Sequence, residues 1–125
     1  EPITLARLRR FARVPIDSGE PRYRRPLVRH ARELAQRVGP DTDIVLLGSI
    51  ATGKYVDLLG KVFGERLRFP GDFVGRGDMS RGGLLLRSAR EGRELGYVGI
   101  AAGARHGPRP PRLAPLSRPA RGDRP

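Results

Sequence analysis

The sequence predicts a small α/β domain with a short parallel sheet of about three strands. Short apolar runs that suit buried strands alternate with amphipathic segments that suit helices. Glycine or proline stands at most of the boundaries between them. A chain of 125 residues has room for one such domain.

Two helices are predicted before the first strand. Residues 3–14 place leucines and a phenylalanine on one stripe with arginines between them, and Pro15 ends that helix. Residues 23–38 carry apolar side chains at helical spacing, and Gly39 followed by Pro40 ends this second helix. We expect residues 1–38 to form a basic helical part of the domain.

Residues 43–101 are predicted to form a β-α-β-α-β core. Its elements are a buried strand at residues 43–48 (DIVLLG), a helix ending at Gly64, a strand at residues 67–69, a helix at residues 79–91 and a strand at residues 95–101. Strands that alternate with helices need crossover connections, which give parallel strands and a three-layer, Rossmann-like unit. A sheet of three strands has an open edge, which a second copy in a homodimer would cover.

The net charge of +12 is concentrated at the two ends of the chain. Residues 1–38 carry +6, residues 39–102 carry +1 and residues 103–125 carry +5. The last of these segments is rich in arginine and proline, so we predict a domain over residues 1–102 followed by a disordered tail over residues 103–125. Codon usage in a GC-rich genome is an alternative explanation for the excess of arginine.

Several classes of protein are excluded by composition. There is no cysteine, so disulfides, thiolate metal sites and cysteine nucleophiles are absent. No apolar run reaches the roughly 18 residues that span a bilayer, and the first residues do not have the apolar stretch of a signal peptide, so we expect a cytoplasmic protein without a membrane partner. No spacing of histidine with carboxylates indicates a metal, and no particular cofactor is indicated.

The corner after the first predicted strand has the sequence GSIATGKY, from Gly48 to Tyr55. It fits the phosphate-binding pattern G-x-x-x-x-G-K, except that Tyr55 stands where a magnesium-binding serine or threonine is needed. We therefore expect a phosphate-binding loop but not a P-loop nucleotidase. Its predicted ligand-binding residues are Gly48, Ser49, Thr52, Gly53 and Lys54. In the alternative interpretation the glycines make a tight turn and Lys54 is solvated.

The corner after the second predicted strand has four glycines within residues 75–83. Glycines let a backbone approach a ligand closely. The predicted ligand-binding residues here are Arg76, Gly77, Ser80 and Arg81. Asp78 is predicted to cap the following helix. In the alternative interpretation the glycines only allow the helix to pack tightly.

The two corners together predict a site for an anionic, nucleotide-like small molecule, because ligands gather at the carboxyl ends of parallel strands. If the protein is an enzyme, Asp78 and Asp57 are the candidate general bases. Each of the two carboxylates has a simpler alternative role as a cap or a solvated charge.

A second hypothesis is a nucleic-acid-binding or ribonucleoprotein-associated module. Helix residues 22–38 and the tail would supply a grip on phosphates that is independent of sequence. The candidate residues are Arg22, Tyr23, Arg24, Arg25 and Arg29. A further alternative is that the extended tail docks on an acidic protein partner.

Overall fold

Four α-helices and three short strands form in residues 2–101 and 103–116, the part of the chain that the computed structural model describes. The helices are α1 (Leu5–Ala12), α2 (Pro21–Val38), α3 (Gly53–Phe63) and α4 (Asp78–Glu91). The strands are β1 (Ile44–Val45), β2 (Leu67–Pro70) and β3 (Tyr97–Gly99). Short 3-10 turns at Gly64–Arg66 and Gly71–Phe73 flank β2. The prediction of a small α/β fold is confirmed.

The first two helices begin at side-chain caps. The Thr4 hydroxyl accepts a hydrogen bond from the Arg7 backbone N–H at 3.2 Å, at the start of α1. The Glu20 carboxylate accepts one from the Arg22 N–H at 3.2 Å, at the start of α2. Pro21 suits the first position of α2 because that position needs no N–H donor.

The sheet is mixed, and its order is β1-β2-β3. Strands β1 and β2 are parallel, with Ile44 opposite Leu67. Strand β3 is antiparallel to β2, with Tyr97 opposite Pro70. The predicted all-parallel sheet is therefore wrong at its third strand.

The connection from β2 to β3 through α4 is not a crossover, because β3 is antiparallel to β2. Three consecutive leucines stand in α4, of which Leu84 and Leu85 pack inward while Leu86 is 65% exposed, and its Met79 is 91% exposed. A helix without an apolar stripe along its length cannot cover a sheet face from one end to the other. Residues 92–96 instead bring the chain back to the carboxyl end of β2, where β3 enters the sheet in the opposite direction.

Strand β1 is shorter than predicted and lies at the edge of the sheet, not in a doubly buried position. The Asp43 carboxylate stays exposed beside the Arg68 guanidinium, with 2.9 Å between its Oδ2 and Nε. The Leu46 N–H still bonds to the Arg68 carbonyl oxygen at 2.8 Å, after which the chain leaves the sheet. Of the apolar run DIVLLG, only two residues thus pair with β2, and the residues after them lead into the first corner.

The core consists of two clusters that meet at β2. Leu67 packs with Ala31 of α2 and Phe63 of α3, and Phe69 packs with Ile50 and Phe73. Leu67 and Phe69 are both fully buried, and side chains two residues apart on a strand point to the same face. Both clusters therefore lie on one face of the sheet. The expected three-layer, Rossmann-like arrangement, with helices on both faces, is not confirmed.

Residues 103–116 form neither helix nor strand and lie against the loop after β2 and against α4. A Cβ placed on Gly75 would overlap the carbonyl oxygen of Pro108, and one on Gly83 would lie 3.3 Å from the Leu113 side chain. Residues 117–125, the rest of the predicted tail, lie outside the described residues, so disorder of the tail stays a prediction.

No helix in the described part of the chain combines the length and the hydropathy that a membrane-spanning segment needs.

Candidate functional site

The two glycine-rich corners line one cleft, with a volume of about 320 Å³. The first corner contributes Gly48, Ser49 and Lys54 to its wall. The second contributes Asp78, Arg81 and Gly82. Two cationic side chains from separate parts of the sequence thus face the same space.

Tyr55 holds the first corner in place. Its ring lies against Gly48, where an added Cβ would be 3.5 Å from the nearest ring carbon. It also lies edge-on to the Tyr23 ring, with 6.4 Å between the centroids, and below the Lys54 ammonium group, with 5.3 Å between Nζ and the Tyr55 centroid. The residue that breaks the P-loop pattern therefore fills a packing position between α2 and α3.

Tyr23 connects α2 to the start of α3. Its hydroxyl donates a hydrogen bond of 2.8 Å to the Lys54 carbonyl oxygen. Burial raises the pKa of Tyr23, and the neighbouring Tyr55 raises it further. A tyrosine that is packed and hydrogen-bonded in this way serves the structure, and nothing supports its predicted use as a ring for base stacking.

The start of α3 lies beside the cleft. Thr52 is the N-cap residue, and its side chain makes no capping hydrogen bond. Neither Thr52 nor Gly53 belongs to the cleft lining, although both are predicted ligand-binding residues. The Asp57 carboxylate lies over Gly53, where any Cβ would overlap it, and so it faces the helix start and not the cleft.

Arg81 carries the positive charge of the second corner. Its side chain is 11% exposed, and its Nη1 donates to the Arg76 carbonyl oxygen at 2.9 Å. Its Nη2 is paired with the Asp78 carboxylate, which is 93% exposed. Hydrogen bonds from two directions fix the guanidinium at the wall of the cleft.

The predicted capping role of Asp78 is wrong. Gly77 is the N-cap residue of α4, with an extended backbone at φ −84° and ψ 178°, and Asp78 is already the first helical residue. Its carboxylate points to Arg81 one turn later and does not bond to the free N–H groups of the helix start.

Arg76, Gly77 and Ser80 do not face the cleft. The Arg76 guanidinium donates to the Asp72 carbonyl oxygen at 2.8 Å and to the Ser80 hydroxyl at 3.0 Å. These three predicted ligand-binding residues line a different cavity of about 730 Å³, between the start of α4 and residues 109–116. Arg76 therefore stabilises the second corner through hydrogen bonds on the side away from the cleft.

The arginines of the second hypothesis lie on another surface. Arg24, Arg25 and Arg29 line a groove of about 800 Å³ between α2 and α3. Arg22 instead pairs with Glu20, with 2.7 Å between Nε and Oε1. Two further cationic residues of this groove, Arg32 and Lys61, were not among the predicted site residues. The spacing from Arg25 to Arg32 is visible in the sequence, whereas Lys61 joins them only through the packing of α3 on α2.

No protein-family model matches the chain, and comparison with curated proteins and with solved structures finds no match. A function for this chain therefore has to be inferred from its own geometry.

Proposed function

We propose that the chain binds a phosphate-bearing or otherwise anionic small molecule, nucleotide-like in its chemistry, in the cleft between the two corners. The observation that supports this most directly is that Lys54 and Arg81, which are distant in sequence, line the same cleft of about 320 Å³. The β1-α3-β2 crossover positions it, and we propose this unit as the Rossmann-like part of the fold.

The polar groups of the cleft favour an anion. Lys54 and Arg81 supply two positive charges against the single negative charge of Asp78. A guanidinium has five N–H donors, and the contacts to Arg76 and Asp78 leave some of them for a ligand. The Ser49 hydroxyl adds a donor, and the positive end of the α3 dipole lies next to it.

We propose binding as the function of this cleft and assign no reaction step to it. Asp78, the carboxylate in the cleft lining, is held by Arg81, and Asp57 lies outside that lining over Gly53. A general base must reach the proton that it removes. The roles of both carboxylates as bases stay predictions.

Thermal unfolding in the presence of anions tests the proposal. The probes are inorganic phosphate, a sugar phosphate and a nucleoside triphosphate, each added at millimolar concentration. A ligand at 100 times its Kd stabilises the native state by about 2.7 kcal/mol, which raises the melting temperature by several degrees. We expect at least one probe to do so, and Lys54→Ala to abolish the rise.

Lys61→Ala is the matched control. Lys54 and Lys61 are the two lysines of the chain, both lie on α3, and Lys61 faces the α2–α3 groove instead of the cleft. The control should keep the full rise. The proposal fails if no probe stabilises the protein, or if the two variants lose the rise equally.

A further inference from the structure

The groove between α2 and α3 is a strongly cationic concave surface. Five basic side chains line it, together with the single acid Glu33. The five, which we call the basic groove, are Arg24, Arg25, Arg29, Arg32 and Lys61. It shares no lining residue with the cleft between the corners, so it is a separate site.

The arginines follow the axis of α2. Arg25, Arg29 and Arg32 are spaced i, i+4 and i+7, which places them along one face of the helix over about 10 Å at 1.5 Å per residue. Arg24 and Lys61 extend the positive surface toward α3. An elongated row of charges fits an extended polyanion better than a single small anion.

These charges are not neutralised by the protein. Among the described residues, no salt bridge joins any of the five side chains to a carboxylate. Four of them are exposed and Arg24 is half-exposed. Five neighbouring cations without a carboxylate partner repel one another, and a bound polyanion would relieve that repulsion.

We infer that the basic groove binds the sugar-phosphate backbone of a nucleic-acid strand. Guanidinium forks match phosphate oxygens, and the release of counterions from the strand supplies the free energy of binding. Five of the seven charged or polar side chains in the groove are cations, so attraction to phosphates outweighs pairing with particular bases. The binding is therefore independent of base sequence.

The apolar residues of the basic groove favour nucleic acid over a membrane surface as the binding partner. The apolar side chains between the cations are Val28, Ala35, Leu58 and Val62, all of them half-buried or buried. Basic surfaces that bind bilayers gain affinity from apolar side chains that protrude and insert among the lipids, in addition to attraction to anionic headgroups. A recessed apolar floor instead leaves the charged tips of long side chains as the outermost groups.

Fluorescence anisotropy with labelled strands tests the inference. The probes are a single strand of about 20 nucleotides, longer than a typical single-strand site, and a duplex of the same length. Each is prepared as RNA and as DNA of mixed sequence. Titrations at about 50 and about 200 mM salt give the salt dependence of binding. We expect binding that weakens steeply with salt, and the four probes identify the preferred strand.

The triple variant Arg25→Ala, Arg29→Ala, Arg32→Ala should bind at least tenfold more weakly. Removing three phosphate contacts should also reduce the slope of log K against log salt by about 2 to 3. Alanine at exposed helical positions favours the helix, so this variant keeps its fold, which circular dichroism verifies.

The control is Arg9→Ala, Arg10→Ala, Arg13→Ala, which removes the same charge from exposed positions at the end of α1. It should change the affinity and the salt slope far less than the groove variant. Lys54→Ala should leave strand binding unchanged, so the two proposals can fail independently.

Four results would overturn the inference. They are the absence of strand binding at about 50 mM salt, equal losses in the two triple variants, tighter binding of vesicles rich in anionic lipid, and equally tight binding of polyglutamate.

Discussion

Several arginines hold loops in place by donating to backbone carbonyl oxygens. Arg66 donates to Gly39, Arg76 to Asp72, and Arg81 to the carbonyl of Arg76. Each bond spans a turn or joins separate elements, and it satisfies a carbonyl that no helix or strand pairs. These three arginines therefore have a structural use, whatever the codon usage of the genome.

Glu20 is a residue whose contribution to stability depends on pH. Its carboxylate accepts hydrogen bonds from the side chain and the backbone of Arg22, and these bonds hold its pKa below the ordinary value of 4.5. Its stabilising effect is then present above pH 4.5, and it is lost as the pH falls through the lower pKa of the folded state.

We expect Glu20→Gln to melt below the wild type at pH 7, because the neutral amide loses the charged pair with Arg22. The difference in melting temperature should shrink as the pH falls below 4.5 and vanish once Glu20 is protonated. Glu33→Gln, on the same helix but in no salt bridge of the described residues, is the control. A difference that is constant from neutral to acid pH would contradict this prediction.

Among the elements, α1 and α3 differ sharply in how they are anchored. No residue of α1 is buried, and Leu5, Leu8 and Phe11 are 61%, 49% and 58% exposed. Helix α3 buries Val56, Leu58 and Phe63. Helix α1 therefore contributes little to the core, whereas α3 joins α2 to the sheet.

Matched truncations in the two helices should show this difference. Leu58 is 4% exposed, so Leu58→Ala should lower the free energy of unfolding by about 2 to 5 kcal/mol. Leu8→Ala should change it by about 0.5 kcal/mol or less. Chemical denaturation monitored by circular dichroism measures both, and comparable losses would show that α1 packs on the core.

The elements also show what the sequence alone could predict. Helices α2 and α4 lie within two residues of their predicted bounds, because caps and apolar spacing are local signals. The direction of β3 depends on its pairing with β2, which is distant in sequence, so the local pattern of residues 95–101 does not determine it. For the candidate site, the sequence assigns Lys54 to the first corner and Arg81 to the second, and both residues line the cleft. It could not show that Arg76 turns outward to the Asp72 carbonyl.

At the scale of the whole molecule, residues 103–116 close over the loop that follows β2. Gly75 makes this possible, because its φ is +74° and its missing Cβ leaves room for the Pro108 carbonyl. Gly107 allows a similar approach, since an added Cβ would lie 2.8 Å from the Val74 side chain. Within the described residues, the segment thus contacts the loop after β2 at Gly107 and Pro108 and contacts α4 at Leu113.

Gly75→Ala should separate the contribution of this contact from backbone strain. Gly92 also has a left-handed backbone, at φ +64°, but an added Cβ there meets nothing within 4 Å. Gly92→Ala should therefore lower the free energy of unfolding only by the cost of a left-handed alanine, about 1 to 2 kcal/mol. Gly75→Ala should lower the free energy of unfolding by more than that, because its Cβ would also overlap the Pro108 carbonyl. Trypsin should then cleave this variant faster after Arg112. Equal stability and equal cleavage in the two variants would exclude the contact with Pro108.

Strand β2 is the sole neighbour that β1 and β3 share in this sheet. Each outer strand reaches it through its own connection, one over residues 46–66 and the other over residues 71–96. Lengthening either connection raises the conformational entropy cost of closing that connection and leaves the cost of closing the other unchanged. Insertions in the two connections, before and after residues 67–70, should thus have additive effects on the free energy of folding.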